Sequence, residues 1–222
     1  MNRETLKFLS FFFSFFFWPI FAGAAVLSLS PSTGTFELGS VFEVDVLLNT
    51  EGDAVNALDV EVRFPPDKFQ LVLPTIGKSI ISLWINQPSF DNTLGTLSLK
   101  GVVPGGINTS GGLVTKLRFR AKGTGEAYIK FADTSRVLAH DGKGTDALHN
   151  VVNGVYSLRL PPPLGPIVAS PTHPDSSRWY PTKTALLEWT PQHNALDPIR
   201  TGFRVSYVLN TDPVDIPDEI SE

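Results

Sequence analysis

From Val26 to Leu160 the apolar positions recur every second residue rather than every third or fourth. In the run from Val41 to Leu48, Phe42, Val44, Val46 and Leu48 share one side, and Glu43 and Asp45 share the other. From Leu58 to Phe64 the apolar set is Leu58, Val60, Val62 and Phe64, and the outward set is Asp59, Glu61 and Arg63. From Leu113 to Arg120 the expected inward set is Leu113, Leu117 and Phe119, with Lys116, Arg118 and Arg120 as a basic stripe. This alternation predicts antiparallel strands with one face on a core and one in water. Further strands are expected at 26–30, 69–73, 80–85, 95–102, 126–132, 135–139 and 151–160. Turn-forming clusters separate them: Pro31–Gly34, Glu51–Asp53, Pro65–Asp67, Pro104–Gly106, Gly123–Gly125 and Asp141–Gly144. The predicted fold class is all-β, a jelly-roll β-sandwich of about nine strands.

The pattern breaks twice. Before Ala25, eight of the 16 Phe are packed into Phe8–Phe21, preceded by Arg3 and Lys7 and followed by Ala22-Gly23-Ala24. A cationic start, a short apolar run and small residues at a cleavage site read as a secretory signal peptide over 1–24. The run is short of the ~20 residues needed to span a bilayer, so no membrane span is expected in the mature chain. The expected location is secreted or at the cell surface. After Leu160, Pro161-Pro162-Pro163-Leu164-Gly165-Pro166 begins a Pro-rich linker assigned to 161–178, because consecutive prolines favour an extended spacer. Beyond it, Ala185–Pro191 and Phe203–Leu209 are strand-like, and 179–222 reads as a truncated second β-sandwich.

Composition narrows the function. With 42% hydrophobic and 18% charged residues the chain can bury a core. The absence of Cys excludes disulfides, thiolate metal sites and cysteine nucleophiles. A net charge of −4 leaves no basic excess for phosphates, so nucleic acid is not an expected partner. His140, His149, His173 and His193 lack the H-E-x-x-H spacing, and no G-x-S-x-G elbow is present. No catalytic role is expected. The loop Asp141–Asp146 lacks the spacing of a calcium loop and reads as a glycine-rich turn. Asn108-Thr109-Ser110 satisfies the glycosylation sequon. Among the aromatics outside the leader, Tyr128 is expected to face outward, Tyr156 and Trp84 the core.

The order of segments over 25–160 resembles a cohesin module. The opening turn Pro31–Gly34 with Gly39–Val46, then Asn56–Phe64 running into Pro65–Leu71, then Gly112–Arg120 and Ser135–Asp146, carry the resemblance. It implies a nine-stranded jelly roll that docks a calcium-loaded dockerin module of another protein. The calcium would belong to that partner, and no cofactor is expected in this chain. The family often places an Asn and an Asp two residues apart on the outward face of its third strand. Asp59 matches the Asp; the matching Asn position is Ala57, and Asn56 is one residue out of phase. Asp59, Glu61 and Arg63 are therefore the candidate partner-binding residues. The C-terminal piece, with Leu187-Glu188-Trp189-Thr190-Pro191 and Phe203–Leu209, resembles the start of a fibronectin type III-like domain. The expected function is a non-catalytic docking module in an extracellular assembly, linked to polysaccharide degradation. Direct polysaccharide binding by the sandwich face and a purely structural spacer are the alternatives.

Overall fold

The structure, a computed structural model, describes residues 25–175, 177–182 and 184–192. The predicted signal peptide, His193 and the strand-like run Phe203–Leu209 lie outside the described residues. Two sheets face each other. The first holds β1 (Ala25–Ser30), β3 (Val41–Asn49), β5 (Phe69–Thr75), β8 (Gly112–Ala121) and β11 (Leu148–Val152), in the order β11-β1-β3-β8-β5. The second holds β2 (Thr33–Glu37), β4 (Val55–Arg63), β6 (Leu83–Asp91), β7 (Thr96–Ile107), β9 (Gly125–Phe131) and β12 (Gly154–Arg159), in the order β2-β12-β9-β4-β7-β6. A short β10 (Arg136–Ala139) pairs with β4 on the same edge as β9. The expected all-β sandwich is thus present.

The alternating residues do what period two demands. Phe42, Val44, Val46, Leu117 and Phe119 from one sheet, and Leu58, Val60, Val62, Leu97, Leu99 and Ile129 from the other, are buried in one core. At its centre Phe119 meets Phe42, Phe64 and Phe69, with the edge of Phe64 on the Phe119 ring at 5.2 Å between centroids. Rings packed edge-on and tilted like this add to the area they bury. Tyr156 is fully buried as expected, and its hydroxyl donates to the Pro31 carbonyl at 2.8 Å. Burial without a charged partner pushes its pKa up to about 12.

Four local expectations are revised. Thr33–Glu37, whose first two residues read as turn and whose last three are given no element, forms β2, an edge strand lying parallel to β12. The stretch 151–160, read as one strand, divides between β11 in one sheet and β12 in the other. In β8, Val114 rather than Leu113 is buried, because the register slips between Val46 and Leu47 and the bulge inverts the side of one residue. The strand expected over 80–85 begins instead at Leu83 and runs to Asp91; Ile81 turns inward as a plug while Ile80 donates to the Leu113 carbonyl. Past the sandwich, β13 (Ile167–Ala169), which falls inside the stretch expected to be linker, pairs with β14 (Glu188–Thr190).

Candidate docking face

The outer surface of the β9-β4-β7-β6 sheet carries the candidate residues. Strand alternation puts Ala57, Asp59, Glu61 and Arg63 in one column on β4, with Val102, Lys100, Ser98 and Thr96 opposite them on β7. Along the other edge of β4, Leu138 faces Ala57, Arg136 faces Asp59, and Lys130 of β9 faces Arg63. β6 continues the rows beyond β7, with Leu83 opposite Val102 and Asn86 opposite Lys100. Three zones result. An apolar corner holds Ala57, Val102, Leu138 and the exposed Leu83. A charged middle follows, and a cleft closes the far end.

In the middle, Lys100 Nζ lies 2.8 Å from Asp59 Oδ2, and Arg63 Nε donates to Glu61 Oε1 at 2.9 Å. Thr134 also donates to Glu61 Oε2. The structure thus brings Asp59, Glu61 and Arg63 together on one face, and each already has a partner within the module. Exposed pairs of this kind are worth about 0–1 kcal/mol, so they set charge register more than stability. A shallow cleft of about 270 Å³ lies beside Glu61, between β6 and β7.

The far end holds a larger cleft of about 470 Å³, walled by Phe64, Leu94, Tyr128 and Lys130. Its rim is a pinned turn. The Asp91 carboxylate accepts from the backbone N–H groups of Leu94 and Thr93, and these bonds, that of Leu94 first, hold its pKa below the usual carboxylate range. Asn92 donates to the Leu71 carbonyl and accepts from the Leu71 N–H, tying the turn to the other sheet. Gly95 has φ 67° and its carbonyl accepts from Phe64 N–H; an added Cβ would lie 1.9 Å from the Phe64 oxygen. Leu94 is thereby held at the rim while 71% exposed. Opposite it, the Tyr128 hydroxyl donates to Glu126, which raises the Tyr128 pKa, and Lys130 Nζ sits 4.9 Å from the ring centroid. Tyr128 is exposed, as its alternation with Ala127 and Ile129 predicts. The strand text alone does not reveal this cleft, because Leu94 sits in a turn and Tyr128 arrives from another part of the chain.

The other candidates find different uses. Lys116 pairs with Glu43 and Asp45 of β3 at 3.0 and 2.9 Å, so the basic stripe finds its acids in its own sheet and not at Asp59 and Glu61. Trp84 is half-buried against the core, next to Gly101, rather than enclosed. Asn108, the sequon residue, donates to the Gly52 carbonyl at 2.6 Å and accepts from Thr50 Oγ1 at 2.8 Å, clamping two turns together. Asp141 binds Lys143 N–H and Thr145 within its own turn, where Gly142 and Gly144 have positive φ. Its pKa is lowered by those bonds, that of Thr145 first. Among the described residues no three His, Asp or Glu side chains come close enough to hold a metal ion. Among the described residues no helix is long and apolar enough to cross a membrane.

Solved structures share this architecture. A cohesin of Clostridium thermocellum, determined in complex with a dockerin, is 12% identical over 62% of this chain and 94% of its own, with a TM-score of 0.52. The cohesin CaCohA2 of Clostridium acetobutylicum is 16% identical over 62% of this chain and 92% of its own, at 0.50. A non-cellulosomal cohesin of the hyperthermophilic archaeon Archaeoglobus fulgidus is 12% identical over 60% and 90%, at 0.50. No family model matches the sequence, and no curated protein matches it. At such identities the likeness establishes the fold, and the fold is that of a cohesin module.

Proposed function

We propose that residues 25–160 form a non-catalytic docking module that binds a dockerin-type partner through the outer face of the β9-β4-β7-β6 sheet. The observation that carries this reading is the make-up of that face on a cohesin fold: an apolar corner beside a fixed charged row. Apolar contacts of that kind supply binding energy, and the charges beside them supply register and specificity. Asp59 keeps the place of one family recognition residue, while Ala57 replaces the other, so the partner meets a methyl where an amide is usual. Any calcium belongs to the partner. The export signal over 1–24 supports a secreted or surface location, and the Pro-rich stretch with the fibronectin type III-like piece supports a modular surface protein close to polysaccharide.

The test immobilises the chain and captures proteins from the host's secreted fraction with and without EDTA. The expected partner is retained only with calcium. Binding of the identified partner falls at least about tenfold for Ala57→Arg, which puts a charge into the apolar corner, and not for Arg120→Glu on the opposite sheet. Equal binding to both variants would sink this reading.

A further inference from the structure

We infer that the cleft between Leu94 and Tyr128 is a second binding site, for an acidic sugar unit of a polysaccharide. This goes beyond docking and does not rest on it. The cleft lies at the Arg63 end of the face, and the apolar corner lies at the Ala57 end, on opposite ends of the same strand.

Size, walls and charge each point the same way. About 470 Å³ falls within the roughly 300–1,000 Å³ of small-ligand sites, enough for a short run of sugar units. A pyranose has apolar C–H faces and a ring of hydroxyls at its edge. The cleft mirrors this, with Tyr128, Leu94 and Phe64 as apolar walls and a charged rim of both donors and acceptors. A broad platform of coplanar rings is absent among the described residues of the sandwich. The exposed rings there are Tyr128 on β9 and Phe90 on β6, with β4 and β7 between them. The site is therefore suited to a short stretch of glycan rather than to a flat crystalline surface.

The rim carries cationic donors. Arg63, Lys68 and Lys130 face two carboxylates, Asp67 and Glu126. Glu126 is occupied by the Tyr128 hydroxyl, and among the described residues Lys130 enters no ion pair. Arg63 gives its Nε to Glu61, and a guanidinium has four further N–H donors. A carboxylate on the sugar fits the unused N–H donors of Lys130 and Arg63, since charge-assisted bonds to carboxylate are the strong ones. The rim is also prearranged. Asp91, Asn92 and Gly95 pin Leu94, and Glu126 and Lys130 hold the Tyr128 ring, so little ordering is needed on binding.

The test is native gel electrophoresis of the full chain in gels containing polygalacturonate or hydroxyethylcellulose. The expected result is retardation by polygalacturonate, weaker or none with the neutral polymer. Tyr128→Ala and Lys130→Glu each reduce the association constant at least about fivefold, while Tyr128→Phe, which keeps the ring wall and loses only its bond to Glu126, reduces it less. Arg120→Glu carries the same charge change as Lys130→Glu on the opposite sheet and leaves retardation intact. Three outcomes overturn the assignment: no retardation by the acidic polymer, retardation that survives Tyr128→Ala, or equal losses for Lys130→Glu and Arg120→Glu. The last would report bulk charge alone. Loss of partner-protein binding in Tyr128→Ala without any retardation would return the cleft to the docking face.

Discussion

The two outer faces of the sandwich are built from the same alternation, yet they differ in relief. On the β3-β8 face, Lys116 lies between Glu43 and Asp45, and Arg118 reaches toward Glu43 at 3.8 Å. Acid and base there face each other across the Val41–Val46 part of the strand pair, ahead of its bulge, and Lys116 and Arg118 close on Glu43 and Asp45. On the β4-β7 face the charges also pair, but exposed Leu83, Leu94 and Tyr128 stand beside them, and two clefts open at the strand ends. Charge by itself therefore does not tell the two faces apart. Val41 and Leu73 are exposed on the first sheet as well, so what separates the faces is the clefts of the second, where apolar side chains and a fixed polar frame meet in one hollow.

The largest expected effect breaks both faces together. Phe119 is fully buried and contacts three other rings, so Phe119→Ala removes the packing on which both sheets rest. The expected cost is about 3–5 kcal/mol, read from urea unfolding. A loss below about 1 kcal/mol would mean that the rings do not form the shared centre.

Gly95→Ala breaks one face only. Its left-handed backbone and the Phe64 oxygen in the path of a Cβ set an expected cost of about 1–3 kcal/mol. Hydrogen exchange at Phe64 and Leu94 should rise while exchange in β3 and β8 stays unchanged. Wild-type protection at Leu94 would show that the turn does not depend on glycine.

How much of this contrast was legible in the sequence follows from the same physics. Asp59, Glu61 and Arg63 were readable because β4 keeps period two through its centre. The two-sheet fold was readable for the same reason. β2 was missed since Thr33-Gly34-Thr35 carries almost no apolar signal, and its burial comes from Phe36 alone against Phe42 and Tyr156. Leu113 was misplaced by a bulge, which no alternation rule sees. β6 was shifted because Ile80 and Ile81 look like strand but serve as a plug beside Leu113, whereas the true strand is mostly exposed and interrupted by Pro88. The cleft was illegible because it joins a turn, a loop and a distant strand, and no short window contains them.

Tyr156→Phe is a smaller change with a pH signature. Losing the bond to Pro31 is expected to cost about 0.5–1.5 kcal/mol at neutral pH. Burial raises the phenol to about 12 in the folded chain, against about 10 when unfolded. The folded state therefore favours the neutral phenol. That contribution is complete below about pH 10 and is lost as pH rises through about 12. Phe removes it, so wild type and variant should converge in stability over this window, measured by thermal melts at stepped pH.

The smallest effect sharpens the comparison most. Lys116 is half-buried, and its pKa is raised first by the hydrogen bond to Asp45 and then by that to Glu43. A raised lysine contributes to stability while it stays protonated and ceases to do so as pH climbs past the lysine range. Lys116→Met should thus lower stability slightly at neutral pH, and the difference should shrink in high salt and at alkaline pH. It should leave partner capture unchanged. Lys100→Met makes the matching change on the other face: it leaves Asp59 with Arg136 across the strand, alters the charge beside the apolar corner, and should weaken capture at least about fivefold. Measured side by side by surface plasmon resonance with the identified partner, equal losses for the two lysine variants would erase the distinction between the faces, and a loss confined to Lys100→Met would establish it.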